Sequence, residues 1–171
     1  MSVFTVKKLS NRTDLSKFDC SNEDDLDLNG FIHNEALKYQ QNGEGVTHLF
    51  YKSDIIVGFV TLAMGAVRKD KVVVSLVDYD KVNVPALFLG RLAVANSERN
   101  KGVGTYLLEY CFGFANQLAK NEVGCRFVTL VTKKDYRADF YYKHGFRKLA
   151  KVKLVKGLEM MCYDLNASKG V

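Results

Sequence analysis

The segment RNKGVGTYLL (residues 99–108) stands between an apolar run, ALFLGRLAV (86–94), and a stretch of helical periodicity. A strand that feeds a basic loop with two glycines, and then a helix, has few ways to fold. Gly102 and Gly104 lack Cβ atoms, so the loop can turn tightly and an anion can approach the main chain. The first N–H groups of the following helix have no intrahelical partner and point outward with the positive end of the dipole. Such a terminus binds an anion, and Arg99 and Lys101 add charge. The spacing excludes two other phosphate loops: GxxxxGK[ST] is absent, and no third glycine completes G-x-G-x-x-G.

The chain has 171 residues, 47% apolar and 26% charged, which suits one soluble domain spanning 1–171 with a sizeable core. No basic n-region precedes an apolar h-region at the N-terminus, and no apolar run has membrane-spanning length, so a cytoplasmic, membrane-free protein is expected. Cys20, Cys111, Cys125 and Cys162 show no CxxC or metal-ligand spacing, which predicts buried free thiols and no metal. His33, His48 and His144 are scattered and form no Ser-His-Asp or Cys-His set. The net charge of +6 is concentrated: between Lys133 and Lys156, nine Lys or Arg face only Asp135 and Asp139. That segment reads either as a solvated basic surface or as a docking face for a polyanion such as RNA.

Periodicity predicts a first strand over 4–9 and a helix after Ser21, which with Asp24 resembles a capping box; Glu23, Asp24, Asp25 and Asp27 load acid onto its first turn. Leu28, Phe31, Ile32, Ala36 and Tyr39 form one apolar face, ending near Gly43. Strands are expected over 47–52 and 55–64, turning at Ser53-Asp54, and over 72–76. Pro85 precedes the 86–95 strand, where a missing N–H is tolerated. Val103, Leu107, Tyr110, Cys111, Phe114 and Leu118 make one face of the next helix, closed by Gly124. A buried strand over 127–131, a short helix over 135–143, and strands near 151–155 and 159–165 complete an α and β mixture.

Arg99-Asn100-Lys101-Gly102-Val103-Gly104 resembles motif A of the GNAT acyltransferase superfamily, [Q/R]-x-x-G-x-[G/A]. FYYKHGF (140–146) resembles the family's closing motif with its Y-x-K-x-G-F ending. The resemblance implies an α+β, single-domain GNAT fold: a mixed, mostly antiparallel sheet with helices on both faces and two central strands that splay apart. It implies acetyl-CoA as co-substrate, no metal, and acyl transfer to a primary amine by direct attack. The cofactor arm would pair with the main chain of Leu92, Ala93 and Val94, with an N–H near Val94 stabilising an oxyanion. Its phosphates would lie on Arg99, Asn100, Lys101, Gly102, Val103, Gly104 and Thr105.

Tyr141 aligns with the family's general acid, which protonates the departing thiolate; a phenol is protonated at neutral pH and suited to that role. Tyr141 is equally one of several aromatics on a short helix, and Tyr142 is the rival one position away. The 86–95 strand carries Arg91 and no carboxylate where some members keep a base. Either the amine arrives neutral, or water or a side chain such as Asp78, Asp80 or Glu98 serves. An α-amino group needs less help than a lysine. The residue seven before the tyrosine, often Asn in the family, is Lys134, which puts a common cofactor contact in doubt.

The stretch FDCSNEDDLDLNGFIHNEA (18–36) and the strand GRLAV (90–94) are also similar to the GNAT toxins of toxin–antitoxin modules, which acetylate the amino acid on charged tRNA. The main expectation is an N-acetyltransferase with a small-molecule or protein amine as acceptor. The alternatives are a toxin-type enzyme acting on aminoacyl-tRNA and a non-catalytic CoA- or RNA-binding module. A homodimer and an antitoxin partner stay open.

Overall fold

The computed structural model describes residues 4–22, 26–72, 82–150, 152 and 154–167. The chain divides into two compact units, Met1–Ala63 with Leu89–Tyr110, and Met64–Phe88 with Cys111–Val171. Strands β1 (Thr5–Lys8), β2 (Val46–Lys52), β3 (Ile55–Arg68), β4 (Asn83–Val94), β5 (Phe127–Lys133), β6 (Arg147–Lys148) and β7 (Leu158–Asp164) form a sheet in the order β1-β2-β3-β4-β5-β7-β6. Strands β3 and β4 contribute residues to both units.

In the first unit β1, β2 and β3 are antiparallel, with Lys8 opposite His48 and Thr47 opposite Thr61. Alternation along β2 supplies two faces. Leu49 joins Phe18, Phe31, Ile32, Ala36, Phe59 and Ala93 in one buried cluster. Phe50, the next residue, meets the rings of Tyr106 and Tyr110 in helix α3 (Val103–Asn121), 6.1 and 5.0 Å away. Helices therefore cover both faces of this part of the sheet, as the GNAT resemblance implies.

The N-terminal helix follows its predicted apolar face but not its predicted start. It begins as α1 (Leu28–Gly30), capped by Asp27 rather than Ser21; the Asp27 carboxylate accepts the Gly30 N–H at 3.2 Å. Glu23, Asp24 and Asp25 lie outside the described residues. A π-helical turn, Phe31–Glu35, follows, in which the Ala36 N–H bonds back to Phe31, and α2 (Ala36–Gln41) completes the element.

In the second unit the Arg126 N–H bonds Pro85 O at 2.9 Å and the Thr129 hydroxyl reaches Leu87 O at 3.5 Å. Partners rise together along both strands, so β4 and β5 run parallel. β5 pairs antiparallel with β7, and β7 with β6, which makes the sheet mixed. Val67, Val84, Ala86, Phe127, Leu149 and Cys162 form the core here. Of the strand expected near 151–155, the described residues Val152, Leu154 and Val155 are irregular, Lys151 and Lys153 lie outside the described set, and the described pairing with β7 falls at Arg147–Lys148. The strand expected at 72–76 falls on residues 73–76, also outside the described set; Val72 ends a 3-10 turn. The prediction stopped β3 at Met64, yet the strand continues to Arg68, because alternation persists after the buried run ends.

All four cysteines are free and buried. Burial pushes the Cys111 thiol up to about 12 and Cys162 up to about 11, which keeps both protonated and unreactive. His33 and His144 bond the carbonyls of Phe18 and Phe140 at 3.0 and 2.7 Å. His48 is 4% exposed, and its Nδ1 shares a hydrogen bond of 2.8 Å with the Tyr110 hydroxyl. Burial, helped by the charge of Lys8, depresses the His48 imidazolium from 6.5 to about 4. Below pH 6.5 the unfolded chain takes up a proton that the folded chain refuses, so this residue's contribution is lost as pH falls toward about 4. Urea unfolding should therefore show stability declining across that window. His48→Gln should flatten the decline while lowering stability at neutral pH.

Candidate active site

The turn from β4 into α3 is built by ties to a distant loop. Pairing with β3 ends where the Ala95 N–H meets Val57 O, and the Asn96 N–H then bonds Asp19 O at 2.8 Å. The Asn96 side-chain amide donates to the Asp19 carboxylate at 2.9 Å. Arg99 donates through Nη2 to Cys20 O at 3.1 Å, so its guanidinium is anchored to main chain. Asn100 and Gly102 both take left-handed conformations, with φ of 60° and 81°. No atom lies within 4 Å of where a Gly102 Cβ would stand, so the demand for glycine is conformational and the space beside it is open. Tyr106 donates to Gly102 O at 3.2 Å, beginning the helical ladder. Val103 is 3% exposed, which leaves only its main chain to offer a ligand.

Every residue expected to hold the cofactor, from Leu92 to Thr105, thus lies in the first unit, on the end of β4, the turn and the first residues of α3. Gly58 lets β3 approach this end of β4: a Cβ there would lie 2.7 Å from Ala93 O. Lys101 is held by Glu98 at 3.2 Å, and Lys52 approaches the same carboxylate at 3.6 Å. The hydrogen bond from Lys101 holds Glu98 below its usual carboxylate range, with the charges of Lys101 and Lys52 acting in the same direction. Of the three carboxylates expected as relay bases, Glu98 is therefore a weak proton acceptor, and Asp78 and Asp80 lie outside the described residues. Arg91, in β4, is exposed and stacks over the Phe31 ring at 4.9 Å.

The second unit carries the tyrosines. Helix α4 (Tyr136–Lys143) starts at Asp135, whose carboxylate accepts the Arg137 N–H at 2.9 Å and pairs with the Arg137 guanidinium. It ends at Gly145, φ 87°, where a Cβ would press on the Tyr163 ring at 3.1 Å. Phe146 then inserts fully into the core against Phe112, Tyr141 and Tyr163. The closing motif is thus a helix stop followed by a buried anchor. Tyr141 packs between Phe140 and Phe146, with centroids 5.2 and 5.6 Å away, and its carbonyl accepts the N–H groups of His144 and Phe146. Burial raises its phenol well above the ordinary range, so it carries its proton throughout the physiological range. Tyr142, one residue on, is 38% exposed, and its phenol is raised by burial and by the Glu159 carboxylate it faces.

The basic segment is less uniform than its sequence. Arg137 is committed to Asp135 and to the Tyr136 ring, and Lys148 pairs with the buried Glu159 at 3.7 Å. Lys134, Lys143, Arg147 and Lys156 are exposed. Among the described residues, no group of three or more His, Cys, Asp or Glu could hold a metal ion, and no helix is long and apolar enough to cross a membrane.

Residues 43–148 match the family of acetyltransferase (GNAT) domains, so the chain belongs to the GNAT acetyltransferases. It is an acetyl-CoA-dependent N-acetyltransferase of that family. A tRNA-acetylating toxin of Mycobacterium tuberculosis (strain ATCC 25618 / H37Rv) is 27% identical over 140 residues, covering 82% of both chains. Among solved structures, AtaT complexed with acetyl-methionyl-tRNAfMet aligns over 98% of both chains at 19% identity, with a TM-score of 0.83. A Tyr-to-Phe mutant of KacT aligns over 97% of both chains at 20% identity, with a TM-score of 0.79. AtaTR bound with acetyl-CoA aligns over 99% of this chain and 98% of that one at 20% identity, with a TM-score of 0.75.

The Asp135 cap allows a test of how α4 is held. Asp135→Ala removes the acceptor of the Arg137 N–H and should cost about 1 kcal/mol. Hydrogen exchange should quicken over Tyr136–Lys143 before it does so in β5 or β7.

Proposed function

We propose that the chain acts as a single toxin-type acetyltransferase domain that acetylates the α-amino group of an aminoacyl-tRNA in the cytoplasm. The observation that carries this reading is the likeness to a tRNA-acetylating toxin over 82% of both chains. The site chemistry agrees. The candidate strand carries Arg91 and no carboxylate, and Glu98 is held in its ionised form by two lysines. A site with so weak a base suits an amine that is substantially neutral at physiological pH, and an α-amino group at about 7.7–8.0 meets that condition where a lysine at about 10.4 does not. An antitoxin polypeptide and a second copy of the chain are the protein partners this reading implies.

Bound acetyl-CoA supplies the thioester whose acetyl group is transferred. The turn between β4 and α3 offers its phosphates two left-handed residues, the open space beside Gly102 and the positive end of a 19-residue helix. Leu92, Ala93 and Val94 contribute main chain, and an N–H near Val94 would stabilise negative charge on the acetyl oxygen. Arg99 helps to fix the turn through one Nη2 bond to Cys20 O, and its remaining donors and its charge stay available to a phosphate. Tyr141 holds the proton that the leaving sulfur takes; its raised pKa keeps that proton in place until a thiolate appears.

Two variants test the assignment. Gly102→Val forces a β-branched residue to φ 81° and should weaken acetyl-CoA binding by calorimetry by at least tenfold, whereas Gly113→Val, in an open helical position, should not. Tyr141→Phe should lower turnover by roughly 10²–10⁴-fold with the acetyl-CoA dissociation constant nearly unchanged. A loss confined to Tyr142→Phe would move the acid by one residue.

The acceptor itself is tested with labelled acetyl-CoA against charged tRNA, free amino acids, polyamines and peptides. Label should appear on the aminoacyl group of charged tRNA. Transfer to small amines alone would return the enzyme to general amine acetylation.

A further inference from the structure

A second concentration of positive charge lies in the first unit, away from the 133–156 segment in the sequence. A cavity of about 430 Å³ opens between the end of β1, the loop after it and the β2–β3 turn. Lys7 and Lys8 of β1 and Arg12 and Lys17 of the loop line it, against the carboxylates of Asp14 and Asp54. All four cations are exposed, and among the described residues none forms an ion pair. Asp14 accepts the Ser16 N–H at 2.9 Å and also feels the charge of Lys17, so among the described residues Lys17 is the one of the four with a carboxylate acting on it. The Lys7 ammonium lies over the Tyr51 ring, 5.0 Å from its centroid, and keeps its full charge there. Cations outnumber carboxylates in this lining, so it carries a net positive charge that attracts a polyanion.

The placement adds direction. The loop that carries Arg12 and Lys17 continues through Phe18, which lines the cavity, into Asp19 and Cys20, which hold Asn96 and Arg99 at the β4–α3 turn. Lys52, at the end of β2, reaches Glu98 before the same turn. The basic cavity and the candidate phosphate turn are thus joined through two hydrogen-bonded ties and an ion pair within one unit. We infer that Lys7, Lys8, Arg12 and Lys17 form a docking site for the phosphodiester backbone of the RNA that carries the acceptor amine. Set against Asp14 and Asp54, the four cations leave the lining with a net charge of +2, more than the single negative charge of one phosphodiester, which suits successive phosphates of a strand. The inference rests on the reading of an RNA-borne acceptor, but not on which amino acid the RNA bears.

The test uses the full chain, fluorescently labelled uncharged tRNA as the probe, and two double variants of equal charge change: Lys7→Glu with Arg12→Glu, and the control Lys38→Glu with Lys120→Glu. Lys7→Gln with Arg12→Gln serves as a milder version whose fold is less strained. The cavity variants should bind tRNA at least tenfold more weakly than the control. Their log–log salt slope should be shallower by about one to two, because phosphate contacts are lost. Acetyl-CoA affinity by calorimetry should equal that of the wild type. Equal tRNA affinity in cavity and control variants overturns the inference. A parallel loss of acetyl-CoA affinity also overturns it, because the cations would then serve the co-substrate. The two readings separate cleanly. If the wild type transfers nothing to charged tRNA yet the cavity variants lose tRNA binding, the aminoacyl reading fails and the RNA site stands. If charged tRNA is acetylated and the cavity variants bind and react like the control, the RNA site fails and the aminoacyl reading stands.

Discussion

The candidate phosphate turn is held in place from outside by residues almost eighty positions earlier in the chain. Asp19 fixes Asn96 through main chain and side chain, and Cys20 O fixes the Arg99 guanidinium. Two left-handed residues in a row of six would leave a loop with many alternatives, since each such conformation is uphill for most side chains. The ties remove those alternatives before any ligand arrives. Preorganisation of this kind lowers the entropy a ligand must give up on binding. It also makes the 9–22 loop, which has little regular structure, as important to the turn as the strand and helix that flank it.

The parts that the sequence made legible are those whose determinants are local. Gly102 before a helical pattern, the apolar face from Phe31 to Tyr39, and the Gly145-Phe146 stop each encode their geometry within one or two turns of chain. The parts that stayed hidden depend on partners brought together by the sheet. The bond that ties Arg99 to Cys20 O has no local signal in the sequence, and Arg137 reads as a docking cation until Asp135 takes it. The π-helical turn was likewise invisible, because inserting one residue preserves the apolar spacing on either side. Ser21 with Asp24 had the letters of a capping box, yet Asp27 caps the helix, since its carboxylate reaches Gly30. The pairing of Arg147 and Lys148 with β7 has a similar origin: the alternation in KVKLV draws the eye further along, whereas the described pairing begins just after Phe146 has locked into the core.

Charge distribution carries its own division of labour. Several basic residues are internal braces, in that Arg126 binds Asp164 at 2.8 Å, Lys148 binds a buried Glu159, and Lys52 and Lys101 share Glu98. The excess of +6 is therefore carried to solvent by a smaller group of side chains than the composition suggests. Those include Lys134, Lys143, Arg147 and Lys156 in one unit and Lys7, Lys8, Arg12 and Lys17 in the other. Counting basic residues measures attraction poorly; counting those not already committed to a carboxylate measures it better.

One arrangement at the end of α4 links chemistry to chain length. The carbonyl of Tyr141 accepts the N–H groups of both His144 and Phe146, so the residue that bears the phenol also terminates its own helix. Phe146 is fully buried and cannot slide. Inserting or deleting one residue between them would turn the tyrosine by about 100° around the helix axis while the anchor stayed fixed. The four residues between Tyr141 and Phe146 therefore act as a ruler: sequence drift can change which residues they are, but not how many.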